Sequence, residues 1–320
     1  MLLAKSAPDY NGILNVEKPR GMTSHDVVDF VRRQTGMRRV GHAGTLDPEA
    51  AGVLLVCLGQ ATRVSEFLMQ GTKEYRATVR FGAVSSTDDA AGTLSPTGRT
   101  LDLDATAIEH VLSGFVGRIE QIPPVYSAIK VGGKPMYRHA RAGQSVTIIP
   151  RTVTIERITL LNWSSPDLEI DVVCSKGTYI RSLARDIGQA TGVGAFLQSL
   201  TRTVSGRFAL AESVPLDEIT RAARLGYLER LLYPLDVALT DFPAVFLTID
   251  EVCHVQSGAR WHGPSAPAEQ LARAYTAGGD RLVGLLRFNP DTGDWHAAKI
   301  FGGSTLPSTD TSNEDIDESH

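Results

Sequence analysis

Long apolar runs are missing from this chain of 320 residues. The longest, around Val53, is far too short to cross a bilayer, and Met1 to Asn11 carries no secretory apolar stretch. Cysteine is scarce: Cys57, Cys174 and Cys253 are scattered and odd in number. Two lie inside apparent strands, so they are expected to be reduced core thiols of a cytosolic protein, outside any disulfide framework. Internal repeats are absent, and so are a phosphate-binding glycine loop and a metal-ligand cluster. Gly192-Val193-Gly194 is too slight a fragment to indicate a dinucleotide site.

An excess of positive charge is lacking too. The formal net charge is −4, with 32 Lys and Arg against 36 Asp and Glu. That balance is misleading, because Asp310, Glu314, Asp315, Asp317 and Glu318 all fall after Gly303, where no Lys or Arg occurs. Residues 1–240 hold 27 basic and 24 acidic groups. Bulk charge therefore neither requires nor excludes a nucleic-acid partner, and local clustering decides.

Chain length suggests about two domains. Thr23 or Ser24 can cap a helix bearing Val27, Val28, Phe30 and Val31, which Gly36 stops. Val53–Leu58 reads as a buried strand, while Tyr75–Phe81 and Leu168–Cys174 alternate as half-buried strands. Ala107–Phe115, Tyr179–Gln189 and most of Leu216–Leu239 read as helical. Strands and helices interleave without regular βαβ spacing, which predicts an α+β fold: a mixed, mainly antiparallel sheet with flanking helices. Asp241-Phe242-Pro243 marks a boundary, so 1–241 is expected to be one domain and 242–303 a second. In the second, Phe246–Ile249, Leu282–Phe288 and Trp295–Phe301 read as strands of a small β-barrel. From Asp241 to Gly303 it carries 5 basic against 7 acidic residues. Residues 304–320 form an acidic tail expected to be disordered.

Gly41-His42-Ala43-Gly44-Thr45-Leu46-Asp47-Pro48 is the most informative run. It sets one carboxylate, Asp47, in a glycine-bracketed turn before a strand. Asp followed by Pro is also how a helix starts, but Ala50-Ala51-Gly52 stops any helix after one turn. Arg181 is the second position of interest. Thr178 is expected to be an N-cap, which puts Arg181 in a first helical turn where the macrodipole disfavours a cation. An anion to hold would explain it; pairing with Asp186 or solvation would explain it equally. Tyr75 and Tyr179 offer flat faces for a base, or core packing. His42 has no second His or Cys at ligand spacing, so a metal role is unsupported. Between Arg118 and Arg157 lie Arg118, Lys130, Lys134, Arg138, Arg141, Arg151 and Arg157 against only Glu120 and Glu156. Tyr126, Tyr137 and His139 are interleaved, a pattern suited to looped RNA or to a solvated hairpin. Arg38 and Arg39 add basic charge just ahead of the Asp47 turn.

Lys18-Pro19-Arg20-Gly21-Met22-Thr23-Ser24-His25 and the Asp47 run together resemble the signature of the bacterial TruB-type tRNA pseudouridine-55 synthases. The resemblance continues through Lys73-Glu74-Tyr75, Ile122-Pro123-Pro124-Val125-Tyr126-Ser127-Ala128, Ser175-Lys176-Gly177-Thr178-Tyr179-Ile180-Arg181 and Leu200-Thr201-Arg202-Thr203. These pieces keep the family's order across roughly the first two thirds of the chain. The resemblance implies an isomerase that converts a T-loop uridine of tRNA to pseudouridine, with no redox cofactor, nucleotide or metal. It implies that Asp47 is the essential catalytic group, that Arg181 pairs with it and keeps it ionised, and that Tyr75 touches the uracil. Tyr75, Tyr179 and Leu200 would line the base pocket, His42 would enter the RNA loop, and Lys18 and Pro19 would support the pocket floor. Residues 122–152, with Lys130, Lys134, Arg138 and Arg141, would be an insertion that clamps the RNA, and 242–303 a PUA-type RNA-binding module. The expected partner is the tRNA T stem-loop, contacted by a cytoplasmic monomer without an obligatory protein or membrane. Two other readings stand beside this one: a guide-RNA-dependent pseudouridylase, and a tRNA-binding or tRNA-folding protein whose catalysis is incidental.

Overall fold

A computed structural model describes residues 9–100, 102–126, 130–131, 134–135, 148–267 and 270–302, the four residues of 130–131 and 134–135 by backbone alone. Contacts divide the chain into two units, Met1–Ala238 and Leu239–His320.

The first unit is built on one sheet, ten-stranded among the described residues. Its main path runs Leu232–Tyr233, Gly12–Lys18, Ala51–Leu58, Ala195–Ser205, Lys73–Phe81, Asp167–Cys174, Arg151–Ser164 and Gly117–Gln121. Every neighbouring pair is antiparallel except Ala51–Leu58 with Ala195–Ser205. The mixed, mainly antiparallel sheet expected from the sequence is therefore what forms.

Two apolar clusters cover it. One gathers Val27, Val28 and Val31 of the Ser24–Thr35 helix and Ile219 and Ala222 of the Leu216–Leu225 helix over Leu14, Val16, Leu54 and Val56. The other packs Ile180, Leu183, Ala184 and Ile187 of the Ile180–Ala190 helix, with Ile108 and Leu112, over Ala77, Val79, Ile170 and Val172. Tyr75 and Leu200 touch both clusters and so mark the seam between them.

At that seam the sheet forks. The Ala51–Leu58 strand keeps one edge on Gly12–Lys18 along its length from Gly52 to Leu58. On its other edge Ala51 and Gly52 pair with Thr201 and Arg202, whereas Leu55 to Leu58 pair with Ala43 to Val40. The change of partner leaves Val53 and Leu54 facing a gap. Gly52 allows the close approach at the fork: its φ is +99°, and a Cβ there would stand 2.2 Å from the Arg202 carbonyl oxygen.

Local expectations hold unevenly. Thr23 caps the Ser24–Thr35 helix in a reciprocal box with Asp26, and Gly36 ends it at φ 69°. Thr178 is not a cap: the Ile180–Ala190 helix starts after Tyr179 without a side-chain cap, and Thr178 Oγ1 donates to Ser175 O. Leu216–Leu239 is helical only to Leu225, because Gly226 turns left-handed at φ 79° and short 3-10 turns follow. Among the described residues, no helix is long and apolar enough to cross a membrane.

The second unit holds a four-stranded sheet in the order Ala244–Leu247, Leu271–Thr276, Leu282–Asn289 and Asp294–Ile300, whose first pair is parallel. Val252 and Val255 of the Ile249–Gln256 helix pack with Leu286, Phe288, Trp261 and Trp295. The expected Phe246–Ile249 strand ends at Leu247, and the helix that begins at Ile249 was not expected. Its signal was present in the sequence, since Thr248 and Glu251 form a capping box. It also carries Cys253, which is exposed, in contrast to the expected core thiol; Cys57 and Cys174 are buried. Most of the 122–152 insertion, including Arg138 and Arg141, and all of 304–320 lie outside the described residues. Lys130–Val131 and Lys134–Pro135 pair as a short hairpin.

Candidate active site

Asp47 stands between the strands Val40–Ala43 and Ala51–Leu58, in a turn that other segments hold in shape. Ser24 Oγ accepts from Leu46 N at 2.8 Å and donates to Leu46 O at 3.1 Å, tying the turn to the first helix. Gly21 N donates to Pro48 O at 2.9 Å and Ala50 N to Asp47 O at 3.1 Å. Gly44 sits at φ +100°, a conformation that favours glycine.

Lys18 lies beneath the turn with its side chain fully buried. Its Nζ donates to Pro19 O at 2.9 Å, Pro48 O at 3.1 Å and Ala50 O at 2.6 Å. The three N–H bonds of one ammonium thus satisfy three carbonyls. Burial draws the Lys18 pKa down to about 8, against the opposing charges of Asp47 and Glu49. Pro19 is exposed and takes part through its carbonyl.

Arg181 meets Asp47. Its Nη2 donates to Oδ1 at 3.2 Å, and Nε lies 2.9 Å from Oδ2, off the hydrogen-bonding direction. The guanidinium is 6% exposed and also bonds Thr87 O at 3.3 Å and Tyr126 O at 3.0 Å, with Asp89 Oδ2 3.6 Å away. Asp186, the alternative partner, pairs instead with Arg185. Arg181, Asp47, Asp89 and Leu200 line one open cleft together with Glu49 and Ser199.

The Asp47 side chain keeps 39% of its surface exposed. Burial nevertheless raises its carboxyl above the ordinary carboxylate range, with Arg181 as the largest opposing influence and Asp89 adding to the rise. Arg181 thus favours the charged form, while burial outweighs it in the direction of the shift.

Tyr75 is half-buried on the Lys73–Phe81 strand. Burial pushes its phenol up, and the charge of Arg202 opposes the rise. Tyr179 is half-buried at the start of the Ile180–Ala190 helix, its backbone N–H donating to Gln121 Oε1 at 3.0 Å. His42 is half-buried on the Val40–Ala43 strand. Desolvation lowers its pKa, and Nδ1 is buried without a hydrogen-bond partner among the described residues. Arg38 and Arg39 are exposed, and Arg39 Nε donates to Thr62 Oγ1 at 2.9 Å.

A carboxylate held by a buried arginine at the fork of a mixed sheet, with the matching motifs around it, sets the terms for comparison with known proteins. Residues 32–180 match the model for the TruB family pseudouridylate synthase N-terminal domain, and residues 181–240 match that for the tRNA pseudouridylate synthase B C-terminal domain. The chain belongs to the TruB family. It is therefore a pseudouridine synthase, an isomerase, as the motifs imply. A protein of Gloeobacter violaceus named tRNA pseudouridine synthase B is 44% identical over 86% of this chain and 94% of its own. One of Pelotomaculum thermopropionicum with the same name is 44% identical over 79% of this chain and 82% of its own. Among solved structures, the archaeal box H/ACA sRNP Nop10–Cbf5 complex contains a chain that is 26% identical, with a TM-score of 0.70 over 93% of this chain and 89% of that one.

Sequence reasoning missed Asp89 and the roles of Thr87 and Tyr126 as carbonyl acceptors. Nothing local distinguishes them, because they reach Arg181 only after the chain has folded. Arg202 was quoted only as part of a motif, yet it is 1% exposed at the fork.

Proposed function

We propose that this protein converts the uridine at position 55 in the T loop of tRNA to pseudouridine, acting in the cytoplasm on the RNA alone. The observation that carries this reading is the Asp47–Arg181 pair lining a cleft whose wall includes Leu200. A uridine stacked in an RNA loop must swing out to reach such a cleft, at a cost of about a few kcal/mol. His42, ahead of the turn, would occupy the space the base leaves, and Tyr75 and Tyr179 would offer it faces. Arg38, Arg39 and the basic residues of 122–152 would hold the phosphates. The second unit would serve as a PUA-type RNA-binding module.

The reaction breaks the N1–C1′ bond and forms C5–C1′. The proton lost from C5 is matched by the one gained at N1, so no net acid, base or electron is consumed. Asp47 can act on ribose C1′, on uracil C6 or on the ribose 2′ proton. Each route begins from the ionised carboxylate, which Arg181 orients and favours. Tyr75 or a water would carry the C5 proton.

Purified protein and unmodified tRNA transcript, followed by chemical mapping of pseudouridine, test the reading. Modification at that single uridine is expected, abolished by Asp47→Asn with tRNA binding kept. Pseudouridine formed at the wild-type rate by the variant would defeat it. The likeness to the archaeal H/ACA chain favours a second reading, in which a guide RNA selects the target. Modification of the transcript without a guide RNA or a second protein excludes it.

A further inference from the structure

The Ile180–Ala190 helix carries a second arginine four positions after Arg181, on the same face. Arg185 is half-buried, and each arm of its guanidinium has a separate acceptor. Nε donates to Asp186 Oδ1 at 3.0 Å, Nη1 to Asp88 Oδ2 at 2.9 Å and Nη2 to Ile122 O at 2.9 Å. Ser182 Oγ donates to the same Ile122 carbonyl at 2.8 Å. Neither Arg185 nor Asp88 lines the cleft.

Asp88 sits between the two residues that meet Arg181. Thr87 offers its carbonyl and Asp89 its carboxylate, while Asp88 turns its own carboxylate to Arg185. Three successive residues thus grip two arginines in alternation. The backbone bends unusually to allow it: Asp88 has φ 62°, the one positive φ outside glycine among the described residues. Such a conformation persists where its surroundings hold it. Here Asp88 O accepts from Leu197 N at 3.0 Å and Asp88 N donates to Ser85 O at 3.2 Å, with Arg185 fixing the side chain.

Resting on the pseudouridine-forming reading of this cleft, we propose that Arg185 is a positioning residue that acts through Asp88. It fixes the 87–89 turn so that Thr87 O and Asp89 hold the Arg181 guanidinium against Asp47. A planar guanidinium points its donors where fixed acceptors stand, so the turn sets the direction from which Arg181 meets the reacting carboxylate. A clamp that merely joined the helix to Ile122 would use Arg185 too, but would not need Asp88.

Substitutions at Asp88 in the full chain separate the two. Asp88→Gly keeps the left-handed backbone and removes the carboxylate, whereas Asp88→Asn keeps an oxygen that Arg185 can bond. These variants, Arg181→Met and Asp88→Gly/Arg181→Met are assayed in single turnover on unmodified tRNA transcript, with tRNA affinity and melting temperature measured for each. Asp88→Gly is expected to slow the reaction about 10-fold with affinity unchanged, and to add nothing once Arg181 is Met. Asp88→Asn should recover most of the loss. A wild-type rate for Asp88→Gly, multiplicative losses in the double variant, or a loss matched by lost tRNA binding would each overturn the proposal. Should Asp88→Gly not fold, Arg185→Lys takes its place under the same criteria, because one ammonium cannot span all three acceptors.

Positioning is also read without substrate. In protein labelled with nitrogen-15 arginine, the Arg181 guanidinium is assigned by comparison with Arg181→Lys. Its protons should exchange with water faster in Asp88→Gly than in wild type, and unchanged exchange overturns the proposal. Failure of wild-type protein to form pseudouridine would instead defeat the functional reading, leaving the exchange result to decide the positioning.

Discussion

Arg181 lies 2.9 Å from Asp47 although the two residues are 134 positions apart in the chain. The pairing joins a turn of one half of the sheet to a helix covering the other half. The arginine is buried and held by two carbonyls besides, so it is fixed before any ligand arrives. Asp47 remains open to the cleft. A rigid cation beside a reachable carboxylate is an arrangement for reaction more than for stability.

Removing that cation should move the pH dependence. Burial raises the Asp47 pKa and Arg181 opposes the rise, so Arg181→Met removes the largest opposing influence and leaves only the more modest one of Lys18. Because the ionised form reacts, the acid limb of kcat/KM should shift to higher pH, and the plateau should fall about 100-fold or more. Arg181→Lys should bring the limb part of the way back. A pH–rate profile of the three proteins decides; an unmoved limb contradicts the assignment.

The three-carbonyl grip of Lys18 predicts a stability effect with a defined pH signature. Lys18→Met leaves buried acceptors unpaired and should cost about 3 kcal/mol in denaturant unfolding. With a folded pKa of about 8 below the ordinary 10.5, the unfolded chain binds the extra proton between these values. Wild-type stability should therefore rise relative to Lys18→Met as pH climbs from 8 to 10.5.

Gly52→Ala should damage the fork itself. The new Cβ would meet Arg202 backbone at 2.2 Å in a conformation that alanine rarely adopts. A loss of about 3 kcal/mol is expected, together with loss of activity, measured by thermal melting and tRNA turnover. Gly21→Ala, where nothing stands within 4 Å of the added Cβ, is the control for positive φ alone, φ being +83° there.

Thiol chemistry should report the burial pattern. Cys253 is exposed, whereas burial pushes the thiols of Cys57 and Cys174 up to about 12 and 11. One equivalent of an aromatic disulfide reagent should react quickly with native protein, and three after denaturation. Fast reaction of more than one native thiol would contradict the fold around Cys57 and Cys174.

Local rules made much of this protein legible in one dimension. Alternation gave the strands around Tyr75 and Leu168, a cap at Thr23 or Ser24 and a stop at Gly36 bounded the first helix, and the glycine-bracketed Asp47 stood out because a tight turn needs particular residues. Those signals are written in spacing, and spacing survives without a fold. What the tertiary structure alone decided is which distant groups meet. Asp89 and Tyr126 come to Arg181, the balance at Asp47 tips toward burial over its arginine, and Arg202 falls into the gap where one strand changes partners. Hydrogen bonding and desolvation depend on atoms brought close from 55 to 158 positions apart, and no window along the chain contains them.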